Sequence, residues 1–215
     1  MNIIVQFIDF VMHLDKNLTQ LANDFGVWTY LILFLVVFCE TGLVITPFLP
    51  GDSMIFVIGA LAASGDLNFP VIIAVLMAAA ILGDTCNYHI GKFLGPVVFK
   101  KDNVKFLKKE YLIKTHNFYE RHGGKTIIIA RFIPIIRTFA PFVAGMGAMS
   151  YPKFISYNVI GGITWVALFS FGGFFFGNMP VVENNFSLVI IAIIFISVLP
   201  GIITYLKEKK SSAAE

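Results

Sequence analysis

Charge is what this sequence has little of. Only 13% of its 215 residues are Asp, Glu, Lys or Arg, where a soluble domain carries about 25%. With 57% hydrophobic residues and a mean hydropathy of +0.81, a wholly water-facing surface is excluded and a lipid-facing one is expected. Cysteine is scarce too: Cys39 and Cys86 are too few for a disulfide framework. Both lie in apolar runs, which predicts small buried thiols. Cys86 and His89 share a helical face, but no second pair joins them, so neither a metal nor another cofactor is expected. The N-terminus lacks the Lys/Arg-rich start of a cleavable signal and carries Asp9 and His13. No polar linker divides the chain, so residues 1–215 read as a single membrane domain.

What is there is apolar sequence in spans of membrane length. About 20 apolar residues cross the hydrocarbon core. Three stretches qualify: 69–94, with Asp84 inside it, 154–176, and a final span within 185–206. Residues 1–25 place Ile4, Phe7, Ile8, Val11, Leu14, Leu18 and Leu21 near one helical face. That predicts an amphipathic helix on the membrane surface, or a core-packing helix as the alternative.

Two further apolar regions are interrupted. In one, WTYLILFLVVF is followed by Glu40, then Pro47, Pro50, Gly51 and Asp52, then a ten-residue apolar piece from Met54 to Ala63. In the other, 126–147, come Arg131, Pro134, Arg137 and Pro141, ending at Gly145 and Gly147. Proline removes a backbone donor and breaks a helix, and broken backbone at membrane depth is tolerated only inside protein or beside water. Both regions are therefore expected to be re-entrant or discontinuous helices. The fold class that follows is an all-α integral membrane protein.

Positive charge sets orientation. Nine Lys/Arg against three acids lie between Lys92 and Lys125, and Lys207, Lys209 and Lys210 lie in the tail. The 96–125 loop and the 207–215 tail are thus expected on the cytoplasmic side. The loop either binds acidic phospholipid headgroups or only fixes topology; nucleic acid is not an expected partner. A re-entrant 126–147 makes the parity of the spans close.

The broken regions head two repeats, 27–95 and 126–177. Leu67-Asn68-Phe69-Pro70 matches Met149-Ser150-Tyr151-Pro152 at an offset of 82 residues, and the same offset pairs Gly65 with Gly147, Gly91 with Gly173 and Gly95 with Gly177. Glu40 precedes Pro50 by ten residues, as Arg131 precedes Pro141. By the parity above, one repeat enters from outside and the other from the cytoplasm, an inverted repeat of the kind that frames transporter sites at the midplane.

A charge inside a membrane segment costs at least about 2.5–3.5 kcal/mol at the helix centre. Glu40, Asp52, Arg131 and Arg137 sit in the broken helices and Asp84 in a full span. One reading is ion pairs that only hold the fold. The functional reading gives phosphate to Arg131 and Arg137, whose guanidinium forks match phosphate oxygens, once a break at Pro134 brings them together. Protons go to Glu40 and Asp52. Asp84 is a supporting residue, a partner for an arginine or a packing group. Pro47, Pro50, Gly51, Pro134, Pro141 and Gly145 support the breaks. His89, His116 and His122 read as solvated polar residues.

The stretches FCETGLVITPFLPGDS (Phe38 to Ser53) and ARFIPIIRTFAPFVAGMGAMSY (Ala130 to Tyr151) resemble the acidic and arginine signatures of the DedA family of bacterial inner-membrane proteins. GDTCNYHIGKFLG and YLIKTHNFYERHGGKTI are similar to it as well. The resemblance implies transport of lipid phosphates, chiefly undecaprenyl phosphate, or phosphatidylethanolamine flipping or scrambling, and places the family's acid pair on Glu40 and Asp52 and its arginine pair on Arg131 and Arg137. Two other functions stay open on the residues: a proton-coupled small-ion antiporter, and a membrane lipid phosphatase. The second lacks a PSGH-like stretch, so no enzyme activity is expected. The glycine-rich faces at Gly161, Gly162, Gly172, Gly173 and Gly177 allow packing within a protomer or in a homo-oligomer.

Overall fold

A computed structural model describes residues 13–43, 51–100, 109–183 and 185–195. The described residues form helices and turns, with no strand among them. In chain order the helices are α1 (Leu14–Phe25), α2 (Trp28–Gly42), α3 (Gly51–Ser64), α4 (Phe69–Lys100), α5 (Lys109–His122), α6 (Thr126–Ala130), α7 (Pro134–Val143), α8 (Tyr151–Phe176), α9 (Pro180–Glu183) and α10 (Phe186–Phe195). A wide turn of π type, Ala144–Ala148, follows α7. Two helices are long and apolar enough to cross a membrane, Phe69–Gly95 and Tyr151–Phe176. The first twelve residues, the second half of the final span, the tail, Pro47 and Pro50 lie outside the described residues.

The chain forms two compact units that interleave in sequence. Unit 1 takes residues up to Val37, Leu49–Ala79 and Ile163–Phe195; unit 2 takes Phe38–Phe48, Ala80–Gly162 and the C-terminal remainder. These units do not coincide with the sequence repeats. Each combines the front of one long helix with the back of the other.

Within unit 1 the head of α4 lies beside the tail of α8: Phe69 packs on Phe174 and Phe171, with ring centroids 4.1 and 5.2 Å apart. α3 closes on α8 through glycines, since a Cβ on Gly59 would strike Ser170 O and one on Gly173 would strike Phe56 O. α1 packs against α3 and buries Leu14 and Leu18, so protein takes up part of the face that amphipathicity marks as apolar.

Unit 2 repeats these devices. The head of α8 lies beside the back of α4, with Tyr88 stacked on Phe154 at 4.6 Å. The turn after α7 closes on α4, where a Cβ on Gly145 would strike Tyr88 O and one on Gly91 would strike Phe142 O. Part of the segment read as the basic loop is the helix α5, which packs against α7. Its Tyr119 is buried and donates to Ala140 O at 2.9 Å.

Both long helices start alike. Asn68 caps α4, its Oδ1 accepting from Val71 N at 3.2 Å, as N-cap asparagines do. Pro70 and Pro152 sit in first turns, where no donor is lost. Four residues before each helix stands a glycine with positive φ, Gly65 at 94° and Gly147 at 123°, backbone that side-chain-bearing residues avoid. The expectation of two buried thiols is corrected: Cys86 is half-buried, but Cys39 is exposed on α2, where the apolar face it belongs to is turned away from protein.

Candidate functional site

The break before Pro134 builds the site. A residue preceding proline is driven into extended backbone, and Ile133 has φ −125° and ψ 103°. α6 ends in tightened turns, with Arg131, Phe132 and Ile133 N–H groups bonded to Ile128, Ile129 and Ala130 carbonyls. α7 restarts with Pro134 at its first position. Arg131 thus stands on the break and Arg137 in the first turns of α7, 2% and 9% exposed. Pro141 does not end α7; the helix runs through it to Val143.

Each arginine meets a carboxylate. Arg131 Nη2 lies 2.6 Å from Asp84 Oδ2 on α4, and Arg137 Nη2 lies 2.6 Å from Glu40 Oε1 in the last turn of α2. Arg131 Nη2 also donates to Asn158 Oδ1 on α8 at 2.5 Å. Asn158 Nδ2 in turn donates to Ile81 O at 3.0 Å. The guanidinium lies over two glycines: a Cβ on Gly161 would come within 3.2 Å of Arg131 Cδ and Nε, and one on Gly162 within 3.4 Å of Nη2.

The second pair has its own holder. Asn87 Nδ2 donates to Thr41 O at 3.2 Å and to Thr138 O at 3.0 Å. These are the residues immediately after Glu40 and Arg137, so one amide stitches both backbones beside the ion pair. Asp84 also lies within electrostatic reach of Arg137, which couples the two pairs into one charge cluster. Burial pushes the Tyr119 phenol up, so it remains a donor to Ala140 O at any working pH.

Asp52 has a different partner. It occupies the first turn of α3 in unit 1, a helix end that favours negative charge, and accepts from Trp165 Nε1 at 2.8 Å. Of the acids the sequence singles out, Glu40 and Asp84 belong to unit 2 and Asp52 to unit 1. Gly51 is buried at the start of α3. His89 Nδ1 is 2.7 Å from Thr85 O, and His116 pairs loosely with Glu120 on an exposed face. Sequence reasoning missed Asn87, Asn158, Trp165 and Tyr119. The two asparagines were detectable as amides inside membrane-length apolar runs, which seek interhelical partners.

Chemically, the cluster offers two buried guanidinium groups, each paired with a buried carboxylate. A buried pair of this kind contributes little net stability, yet breaking it is costly.

The VTT domain family matches residues 49–175. Protein DedA of Escherichia coli K12 is 54% identical over 215 residues, covering 99% of this chain and 98% of that protein. An uncharacterized membrane protein of Mycobacterium tuberculosis H37Rv, Rv0364, is 44% identical over 174 residues, 80% of this chain and 76% of its own. The inner membrane protein YqjA of E. coli K12 is 34% identical over 152 residues, 71% and 69% respectively. No solved structure matches.

Proposed function

The chain is a membrane protein of the DedA family, and from that premise we propose that it carries a lipid phosphate across the cytoplasmic membrane, undecaprenyl phosphate first among the candidates, with protons as the coupling ion. The observation that carries the reading is the pair of buried arginines, each paired with a buried carboxylate at 2.6 Å. Phosphate oxygens fit a guanidinium fork at least as well as a carboxylate does. A phosphate headgroup can therefore replace Asp84 and Glu40 on Arg131 and Arg137 when those acids take up protons, which keeps the cluster near neutral in either state. Asp52 is a further acid for proton passage, held by the Trp165 indole.

The reading includes the membrane arrangement. α3 has 14 residues, about 21 Å at 1.5 Å per residue, short of the ~30 Å core; α3 and α7 are the re-entrant arms. They enter from opposite faces as an inverted repeat, with the basic segment and the tail cytoplasmic. The recurrence of the proline-headed long helices and the head-beside-tail pairing inside each unit supports this. Such repeats let a central site open to either side. The protein acts as a transporter, not an enzyme.

The test is movement of labelled undecaprenyl phosphate between leaflets of vesicles containing the purified protein. Arg131→Ala and Arg137→Ala should each abolish it. Movement at the wild-type rate in either variant sinks the proposal.

A further inference from the structure

Two buried acceptor oxygens on α4 have no hydrogen-bond donor: Asp84 Oδ1 and Asn87 Oδ1. Asp84 is 2% exposed and Asn87 fully buried. Asp84 Oδ2 is held by Arg131. Flipping the Asn87 amide would set its oxygen against the Thr41 and Thr138 carbonyls and lose both donated bonds. Buried polar atoms go unsatisfied at a cost and call for an explanation. The two residues are three apart on a helix, neighbours on one face, and two acceptors cannot serve each other. A protonated carboxyl is a donor, so a proton on Asp84 would supply what an acceptor beside it lacks.

We propose that Asp84 and Asn87 form a proton-binding site, in which Asp84 Oδ1 takes a proton from hydronium, leaving water, and donates it in a hydrogen bond to Asn87 Oδ1. No electrons are exchanged. The groups facing Asp84 are Arg131 at the break before α7, Arg137 on α7 and the neutral Tyr119 phenol on α5. Glu40 on α2 answers Arg137, and α8 contributes the uncharged Asn158. The arginine charges oppose the proton; the two otherwise orphaned oxygens hold it. Asp84 is thereby the acid that trades with an anion on Arg131, a consequence that rests on the lipid-phosphate reading, whereas the proton site does not.

The experiment is infrared difference spectroscopy of the full-length protein in phosphatidylcholine nanodiscs, without added undecaprenyl phosphate, as pH is lowered through neutral. A protonated-carboxyl band should grow in as pH falls and shift in heavy water. It should vanish in Asp84→Asn, survive Glu40→Gln and Asp52→Asn, and need a lower pH in Asn87→Ala. Absence of the band, its survival in Asp84→Asn, or its loss in Glu40→Gln overturns the proposal. If Asp84→Asn does not fold, wild type carrying aspartate with heavy carbon in its carboxyl decides. The band must then shift, and must persist in Asp52→Asn; an unshifted band refutes the assignment. Failure here leaves the phosphate proposal standing, since none of the transported lipid is present.

Discussion

Units 1 and 2 use the same packing and different chemistry. In each, a long helix headed by proline lies beside the tail of the other long helix. In each, a shorter helical arm meets that bundle where glycine faces a backbone carbonyl in both directions, Gly59 with Gly173 and Gly145 with Gly91. Unit 1 places one buried carboxylate in this frame, on an indole. Unit 2 places four charges and two asparagines there. The scaffold is duplicated, and the ionic machinery is concentrated in one copy.

The contrast predicts unequal sensitivity. Asp84→Ala leaves Arg131 buried without its counter-charge and should cost about 3–5 kcal/mol, read by reversible unfolding in mixed micelles. Trp165→Phe removes one hydrogen bond to an acid in unit 1 and should cost about 1.5–3 kcal/mol. If the two losses prove equal, the asymmetry between the units is wrong. Packing should show no such bias: Gly59→Ala and Gly145→Ala each drive a methyl into a carbonyl, at about 1–3 kcal/mol, and a several-fold difference between them would break the claim of a shared device. Smallest of all, Cys39→Ser on the exposed face of α2 should stay within about 0.5 kcal/mol.

Local features were legible in the sequence because they have local causes. Pro134 restricts Ile133, so the break appears where the proline announces it. The 82-residue offset marks real recurrences, with Gly65 and Gly147 in matching backbone and Phe69 and Tyr151 opening matching helices. Charges in apolar runs flagged Arg131, Arg137, Glu40, Asp84 and Asp52; the first four lie in unit 2 and Asp52 in unit 1. Partner choice was not legible. That Arg131 takes Asp84 depends on α4 passing the break at Ala80–Asp84, a fact of helix packing that no spacing encodes. Asn87 and Asn158 bind backbone carbonyls and a guanidinium across 27 to 77 positions of sequence, so their roles exist only in three dimensions. α5 was hidden for another reason: its lysines announced a loop, while the buried Tyr119 bonds it to α7.

That tyrosine makes α5 a lever. Its phenol grips Ala140 O, one turn of α7 beyond Arg137, and its neutrality keeps the grip insensitive to alkali. A pull on α5 therefore cannot move the helix without either dragging the arginine's own turn along or snapping one identifiable bond. The charge cluster has a handle outside the apolar segments, and Tyr119→Phe is the cut that would let it swing free.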